Sequence, residues 1–222
     1  LVGVADSNEK RLQDPFFAGI KTFSNYKELL SEDIDVVSIC VSDRFHFEPT
    51  MAAIKANKHI FLEKPLTLSI SEAEEILSAV EQYDKKFTIG YLLRFDPRYG
   101  RVKESIDSGA LGDIVFIHAR RNSTKDEGPA RYHGTTPLVY HVTVHDIDLV
   151  LWYLSGKKPV TVYAQKVSKT LSSMKMDDAI FSIVRFDDGT VVNFESSWAL
   201  PEGSTTKLDA YMEICGTKAM AK

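Results

Sequence analysis

Cysteine is scarce in these 222 residues: only Cys40 and Cys215 occur, far apart, and no Cys/His pair has zinc-ligand spacing. Each thiol lies in an apolar, strand-like run, so both read as buried free thiols of a reducing compartment rather than as a disulfide. No apolar run approaches the roughly 20 residues that a membrane-spanning helix needs. Positive charge is not in excess. The 27 Lys and Arg stand against 31 Asp and Glu, a net charge of −4, so neither nucleic acid nor an anionic membrane is an expected partner. The opening Leu1-Val2-Gly3-Val4-Ala5-Asp6 reads as a strand and not as a signal peptide, and the expected location is cytoplasmic. Two motifs are missing throughout: the phosphate-binding turn G-x-G-x-x-G and the zinc motif H-E-x-x-H.

What is present is ordinary in bulk, with 44% hydrophobic and 26% charged residues, and long enough for two modest domains. The first half alternates short apolar runs with amphipathic stretches. Strands are expected at 1–5, 20–23, 34–41, 59–62 and 87–93. Helices are expected at 7–13 (capped by Asp6 or Ser7), 26–30, 49–57 and 71–83. In the last of these Ser71-Glu72-Ala73-Glu74 resembles a capping box, with Ile76, Leu77 and Val80 as its buried stripe. Strands and helices at this spacing predict βαβ units and a parallel, doubly wound α/β sheet.

Within that pattern His59-Ile60-Phe61-Leu62-Glu63-Lys64-Pro65 stands out. Pro65 cannot donate to a sheet ladder, so the strand stops there. Glu63 and Lys64 are left at the carboxyl end of the strand, the edge where open α/β sheets bind ligands. Lys64 is a candidate acid/base group; the bland alternative is a solvated Glu-Lys pair. Asp6, ending a strand, either accepts from an adenosine ribose or caps the next helix. A phosphate turn is expected about 20 residues before such an acid. Its lack leads to the expectation that the first βα unit precedes residue 1.

After a helix at 97–108, flanked by Pro97 and Gly109, the pattern changes. Strands are expected at 114–119, 160–167, 179–186, 191–198 and 208–215, with Asp187-Asp188-Gly189 as a hairpin turn and residues 122–137 as a loop. This predicts an α+β domain with a mostly antiparallel sheet at 97–222, expected to be incomplete at its carboxyl end, after a doubly wound domain at 1–96. One face of the sheet calls for a cover, and a partner subunit supplies one, giving a homodimer or homotetramer. Arg121, Lys125, Arg131, Tyr132 and His133 at the loop are candidates to bind hydroxyls or an acidic substrate; a solvated loop is the alternative.

A helix over 139–154 carries His141, His145 and Asp148 at i, i+4 and i+7, one face of the helix, with Asp146 pointing elsewhere. Three readings stay open from the residues alone: core histidines, an acid/base histidine with its tautomer set by an acid, and a metal site that lacks further ligands.

Taken together these landmarks resemble the glucose–fructose oxidoreductase, inositol dehydrogenase and rhizopine-catabolism family (Gfo/Idh/MocA). They are the acid Asp6, the segment Ile39 to His46, Glu63-Lys64-Pro65, the strand Gly90 to Phe95, the turn Gly109 to Gly112 and the helical motif His145-Asp146-Ile147-Asp148. The resemblance runs in register from residue 1 to about 215. It implies a Rossmann-type domain and an oxidoreductase that moves hydride between a nicotinamide and a sugar, cyclitol or related polyol. Lys64 and His145 would be the catalytic residues. Asp6, Ser42, His46, Glu63, Lys64 and Arg94 would bind the cofactor, and Lys64, Tyr91, Arg131, His141 and His145 the substrate. NAD is the expected cofactor, with NADP as the alternative because Arg11 lies near Asp6. His141 stands where many polyol dehydrogenases of the family carry Asp, and Val41-Ser42 stands for the usual Thr-Pro. Other functions carried forward are a non-catalytic metabolite- or cofactor-binding relative and a metal-dependent hydrolase using His141 and His145.

Overall fold

The computed structural model describes residues 1–126 and 136–222, which cluster into two units, Leu1–Gly90 and Tyr91–Lys222. In the first unit every strand pair is parallel. β1 (Gly3–Ala5) pairs with β2 (Lys21–Phe23). β3 (Val36–Ile39), β4 (His59–Leu62) and β5 (Phe87–Ile89) form a second ladder with β4 in the middle. The central position explains why Ile60 and Leu62 are 2% and 0% exposed; they join Ile39 and Ala53 in the core of this unit. Helices α1 (Glu9–Leu12), α2 (Tyr26–Leu30), α3 (Phe47–Lys55) and α4 (Ile70–Glu81) connect the strands.

Several local expectations are corrected. Asn8, not Asp6 or Ser7, caps α1, accepting from the Lys10 amide, while Asp6 accepts from the amide of Asn8 at 2.8 Å. Ser69 rather than Ser71 caps α4, and Leu77, one residue beyond the buried Ile76, turns to solvent. The apolar run 34–41 is not buried on both faces, because β3 is the edge of its ladder and Val36 is 61% exposed. Cys40 is accordingly exposed and Cys215 half-buried, both as free thiols. β5 stops at Ile89: the amide of Gly90 donates to the Leu62 carbonyl at 2.8 Å, and a 3-10 turn, Leu92–Phe95, replaces the expected strand end.

The second unit is built on a six-stranded sheet. Its strands are β6 (Ile114–Thr124), β7 (Pro159–Val167), β8 (Ala179–Phe186), β9 (Val191–Leu200), β10 (Leu208–Gly216) and β11 (Met220–Ala221). The order is β11-β10-β6-β9-β8-β7, antiparallel except for the β6–β9 pair. β6 extends to Thr124, so the start of the expected loop, 122–124, belongs to the sheet. Helices α5 (Pro97–Asp107) and α6 (Val144–Tyr153) supply the apolar cover of one face. There Ile117, Ala119, Val192, Phe194, Met212 and Ile214 pack with Leu149, Val150 and Tyr153. On the other face the register aligns Phe116 with Val191 and Phe181 with Glu195, and Phe181, Ile183 and Tyr163 stay exposed. Gly112 has φ +74°, and a Cβ there would lie 2.3 Å from Thr217 Oγ1, so the turn into β6 admits only glycine.

The expected helix over 139–154 is two pieces. Val139–Thr143 is a π-turn, with the Val144 amide donating to the Val139 carbonyl, and α6 begins at Val144.

Candidate functional site

The strand β4 is short, apolar and central, so it delivers Glu63 and Lys64 at a rigid carboxyl end. The Glu63 amide donates to the Ile39 carbonyl at 3.0 Å, and the Glu63 carboxylate accepts from the Lys64 amide at 3.2 Å. Gly90 lies against this acid: a Cβ there would sit 3.5 Å from the Glu63 carboxyl carbon. Burial pushes the Lys64 ammonium below the usual lysine range, opposed by the carboxylates of Asp43 and Glu63. A partly desolvated lysine between two acids is suited to hold and exchange a proton.

His46 heads α3 and is 1% exposed. Its Nδ1 lies 2.7 Å from the Pro65 carbonyl oxygen and its Nε2 3.1 Å from that of Val41. The ring therefore joins the turn after β3 to the turn after β4, the turn of Lys64. Both ring nitrogens of His46, expected among the cofactor-binding residues, face backbone carbonyls inside the unit. Ser42 begins the 3-10 turn Asp43–Phe45 that leads to it. At the end of β1, Asp6 Oδ2 is 3.3 Å from Arg11 Nη1.

In the second unit, Tyr91 precedes the 3-10 turn of Arg94. Burial, then the charge of Asp148, raises its phenol pKa, against Arg94. Arg94 grips Asp148 with two hydrogen bonds, Nε to Oδ2 at 2.7 Å and Nη2 to Oδ1 at 2.6 Å. That fork commits Asp148 to an arginine rather than to the face of His141. The His141 ring centre is 5.8 Å from that of Trp198, which is 1% exposed. His145 is half-buried near the start of α6. Arg131, Tyr132 and His133 lie outside the described residues.

Arg121 is not a loop residue. It lies in β6 and grips Asp146 through Nε at 2.9 Å and Nη2 at 2.8 Å, with side chains 12% and 4% exposed. Burial would lower the guanidinium pKa, but the hydrogen bonds to Asp146 more than offset this and raise it. The sequence carried a signal for this pair. Ile117, Ala119 and Arg121 alternate onto the face toward the helix, so an inward arginine called for an inward acid. Among the described residues no group of three His, Cys, Asp or Glu is arranged to hold a metal ion. No helix among them is long and apolar enough to cross a membrane.

A nicotinamide dinucleotide is tested by these donors. A carboxylate ending a parallel strand, at Asp6, suits a ribose diol, and polar groups at the carboxyl ends of β3 and β4 suit the reactive half. The residues present fit those parts; the sequence offers no Gly-rich turn for the diphosphate.

Parallel ladders with polar groups at their strand ends, followed by an α+β unit with a half-covered mixed sheet, define a Rossmann-type two-unit architecture. Residues 1–91 match the model of the Gfo/Idh/MocA oxidoreductase family, NAD-binding Rossmann fold, and residues 99–222 match the family's C-terminal domain. The chain belongs to this family. It is 28% identical over 230 residues to an inositol 2-dehydrogenase of Salmonella typhimurium, covering 100% of this chain and 65% of that relative. It is 26% identical to a myo-inositol 2-dehydrogenase of Thermotoga maritima, covering 98% and 66%. Its fold matches that of a scyllo-inositol dehydrogenase from Lactobacillus casei with bound NAD(H) and scyllo-inositol. There the TM-score is 0.87 at 24% identity, over 100% of this chain and 67% of that one. The chain thus spans about two thirds of the length of the proteins it matches.

Proposed function

We propose that this chain carries the reacting residues of an NAD-dependent dehydrogenase acting on a CH–OH group of a polyol or sugar, with cyclitols as the first substrates to test. The observation that carries the reading is Lys64: a lysine at the carboxyl end of a central parallel strand, its ammonium destabilised by burial. Membership of an NAD-binding oxidoreductase family and relatives named inositol dehydrogenases support it.

When bound, the nicotinamide supplies the carbon that accepts hydride. Asp6 would accept from the ribose hydroxyls, and Ser42 and Glu63 would line the strand ends toward the reactive half. Lys64 would hold the reacting hydroxyl by a hydrogen bond to its oxygen. His145 would take the hydroxyl proton as the C–H electron pair leaves, leaving a carbonyl product and an imidazolium. Tyr91, Arg131 and His141 would be substrate contacts. The exposed apolar residues Phe181, Ile183 and Tyr163 support a homodimer or homotetramer through the open sheet face. An exposed free thiol at Cys40 suits a reducing, cytoplasmic setting.

The test is cofactor reduction followed at 340 nm over a panel of cyclitols and sugars, with NAD and NADP in parallel because of Arg11. Turnover on a polyol that disappears in Lys64→Ala supports the reading. Calorimetric binding of a cofactor with no turnover on any of the panel would favour a non-catalytic relative.

A further inference from the structure

The helix α6 poses a packing problem. Val144, Ile147, Leu149, Val150, Leu151, Trp152 and Tyr153 place apolar side chains around most of its circumference. A helix of that kind is held in a core by hydrophobic contacts that are non-directional, so its rotation about its own axis is weakly specified. Asp146 and Asp148 break this degeneracy. Two residues apart, they lie about 200° apart around the helix. One is gripped by Arg121 from the sheet and the other by Arg94 from the 3-10 turn, each through two hydrogen bonds. His145 lies on the shorter arc between them, about 100° from Asp146 and about 60° from Asp148. The Tyr153 hydroxyl donates to the Tyr99 carbonyl at 3.0 Å and fixes the helix along its axis. Ion pairs on buried carboxylates are poor devices for stability, because desolvation offsets their attraction, and planar forks are good devices for orientation.

We propose that Arg121–Asp146 and Arg94–Asp148 are positioning pairs that set the rotation of α6 and thereby the direction of the His145 imidazole. The functional part rests on the reading of His145 as the proton acceptor; the geometric part does not. The test uses the full chain with Arg121→Lys, Asp146→Asn and, as the milder pair, Arg94→Lys and Asp148→Asn. Arg94 is the more exposed arginine, with a side chain 40% accessible against 12% for Arg121, so its variants are the more tolerant of folding. The first readout is the ring spectrum of 15N-histidine, assigned through His145→Gln. The second is kcat and KM on any polyol that turns over. Arg121→Lys, which keeps the charge and loses the fork, is expected to move the His145 ring resonances and to lower kcat about tenfold with KM within about twofold. The Arg94 and Asp148 variants should act in the same direction. Variants that lower the melting temperature but leave the His145 ring signals and the kcat-to-KM split unmoved would reduce both pairs to structural ties and overturn the proposal. Failure of the acid/base reading is a separate result: His145→Gln would keep its turnover, while the ring signals in the arginine variants would still report on position.

Discussion

The imidazole of His46 and the carbonyl of Pro65 lie 2.7 Å apart, nineteen residues removed in sequence, and through them the turn of Lys64 is tied to the turn after β3. A second contact, to the Val41 carbonyl at 3.1 Å, makes the ring a bridge between two loops. His46→Ala is expected to destabilise the first unit by about 1–3 kcal/mol, since it leaves a buried carbonyl without its partner. It should also lower turnover by more than the loss of folded protein accounts for. Urea denaturation alongside kcat measured on the folded fraction separates the two effects.

Lys64→Ala is expected to lower kcat by roughly 10²–10⁴ while the protein still folds, as removal of a proton-handling group does. The lysine also leaves a signature in stability. Its folded pKa lies below its unfolded value, so the unfolded chain binds more protons between those two values and stability rises with pH across that window. Below the window the cost of burying the ammonium is fully present. Lys64→Met should therefore be more stable than the parent at neutral pH and lose the rise toward pH 10. Denaturant midpoints measured from pH 7 to 10.5 give both curves.

Asp178 is 3% exposed and carries a cluster of donors: the amides of Lys169, Thr170 and Leu171 and the Thr170 hydroxyl. Burial would raise its pKa, but these hydrogen bonds outweigh that and hold it below the usual carboxylate range. The stabilisation is present above the unfolded carboxylate pKa and is lost as pH falls through the folded one. Asp178→Asn is expected to cost about 1.5–3 kcal/mol at pH 7, with the difference shrinking toward pH 3. Thermal melts of the two proteins over that range check it.

Phe181 and Ile183 alternate onto the open face of the second sheet. If that face joins two copies, Ile183→Glu should convert the assembly to monomers without changing the circular dichroism of the fold. Light scattering at matched concentration decides, and a parent protein that is itself monomeric would remove the interface.

Much of this molecule was legible in the sequence because pattern and chemistry agreed. His59 to Leu62 is a run of apolar residues closed by Pro65, and the strand ends one charged pair before it. Pro97 and Gly109 bracket α5 as their φ preferences require. What was not legible depended on partners distant in the chain. Leu77 fits a helical stripe as well as Ile76 does, and only the packing of α4 in the folded unit, where α3 is its neighbour, decides which is covered. The π-turn at Val139–Thr143 has no residue that demands it. Arg121 falls beyond the expected strand end at Ala119 and beside the polar residues 122–137, whereas the ladder with β9 carries the strand to Thr124. Asp146 looked peripheral for the same reason: its partner lies twenty-five residues earlier.

The parallel pairing of β6 with β9 bears on how the chain assembles during synthesis. Strands β7, β8 and β9 join neighbour to neighbour and can zip as soon as they leave the ribosome. β6 is made earlier, yet both of its partners, β9 and β10, come later in the chain. Its two edges must wait for most of the unit to emerge, and closure of that long loop is the slow, entropically costly event. The first unit, completed by Gly90, has no such debt to later sequence in its own ladders. Folding should therefore proceed in two waves, with β6 as the nascent strand most in need of shelter until β9 arrives.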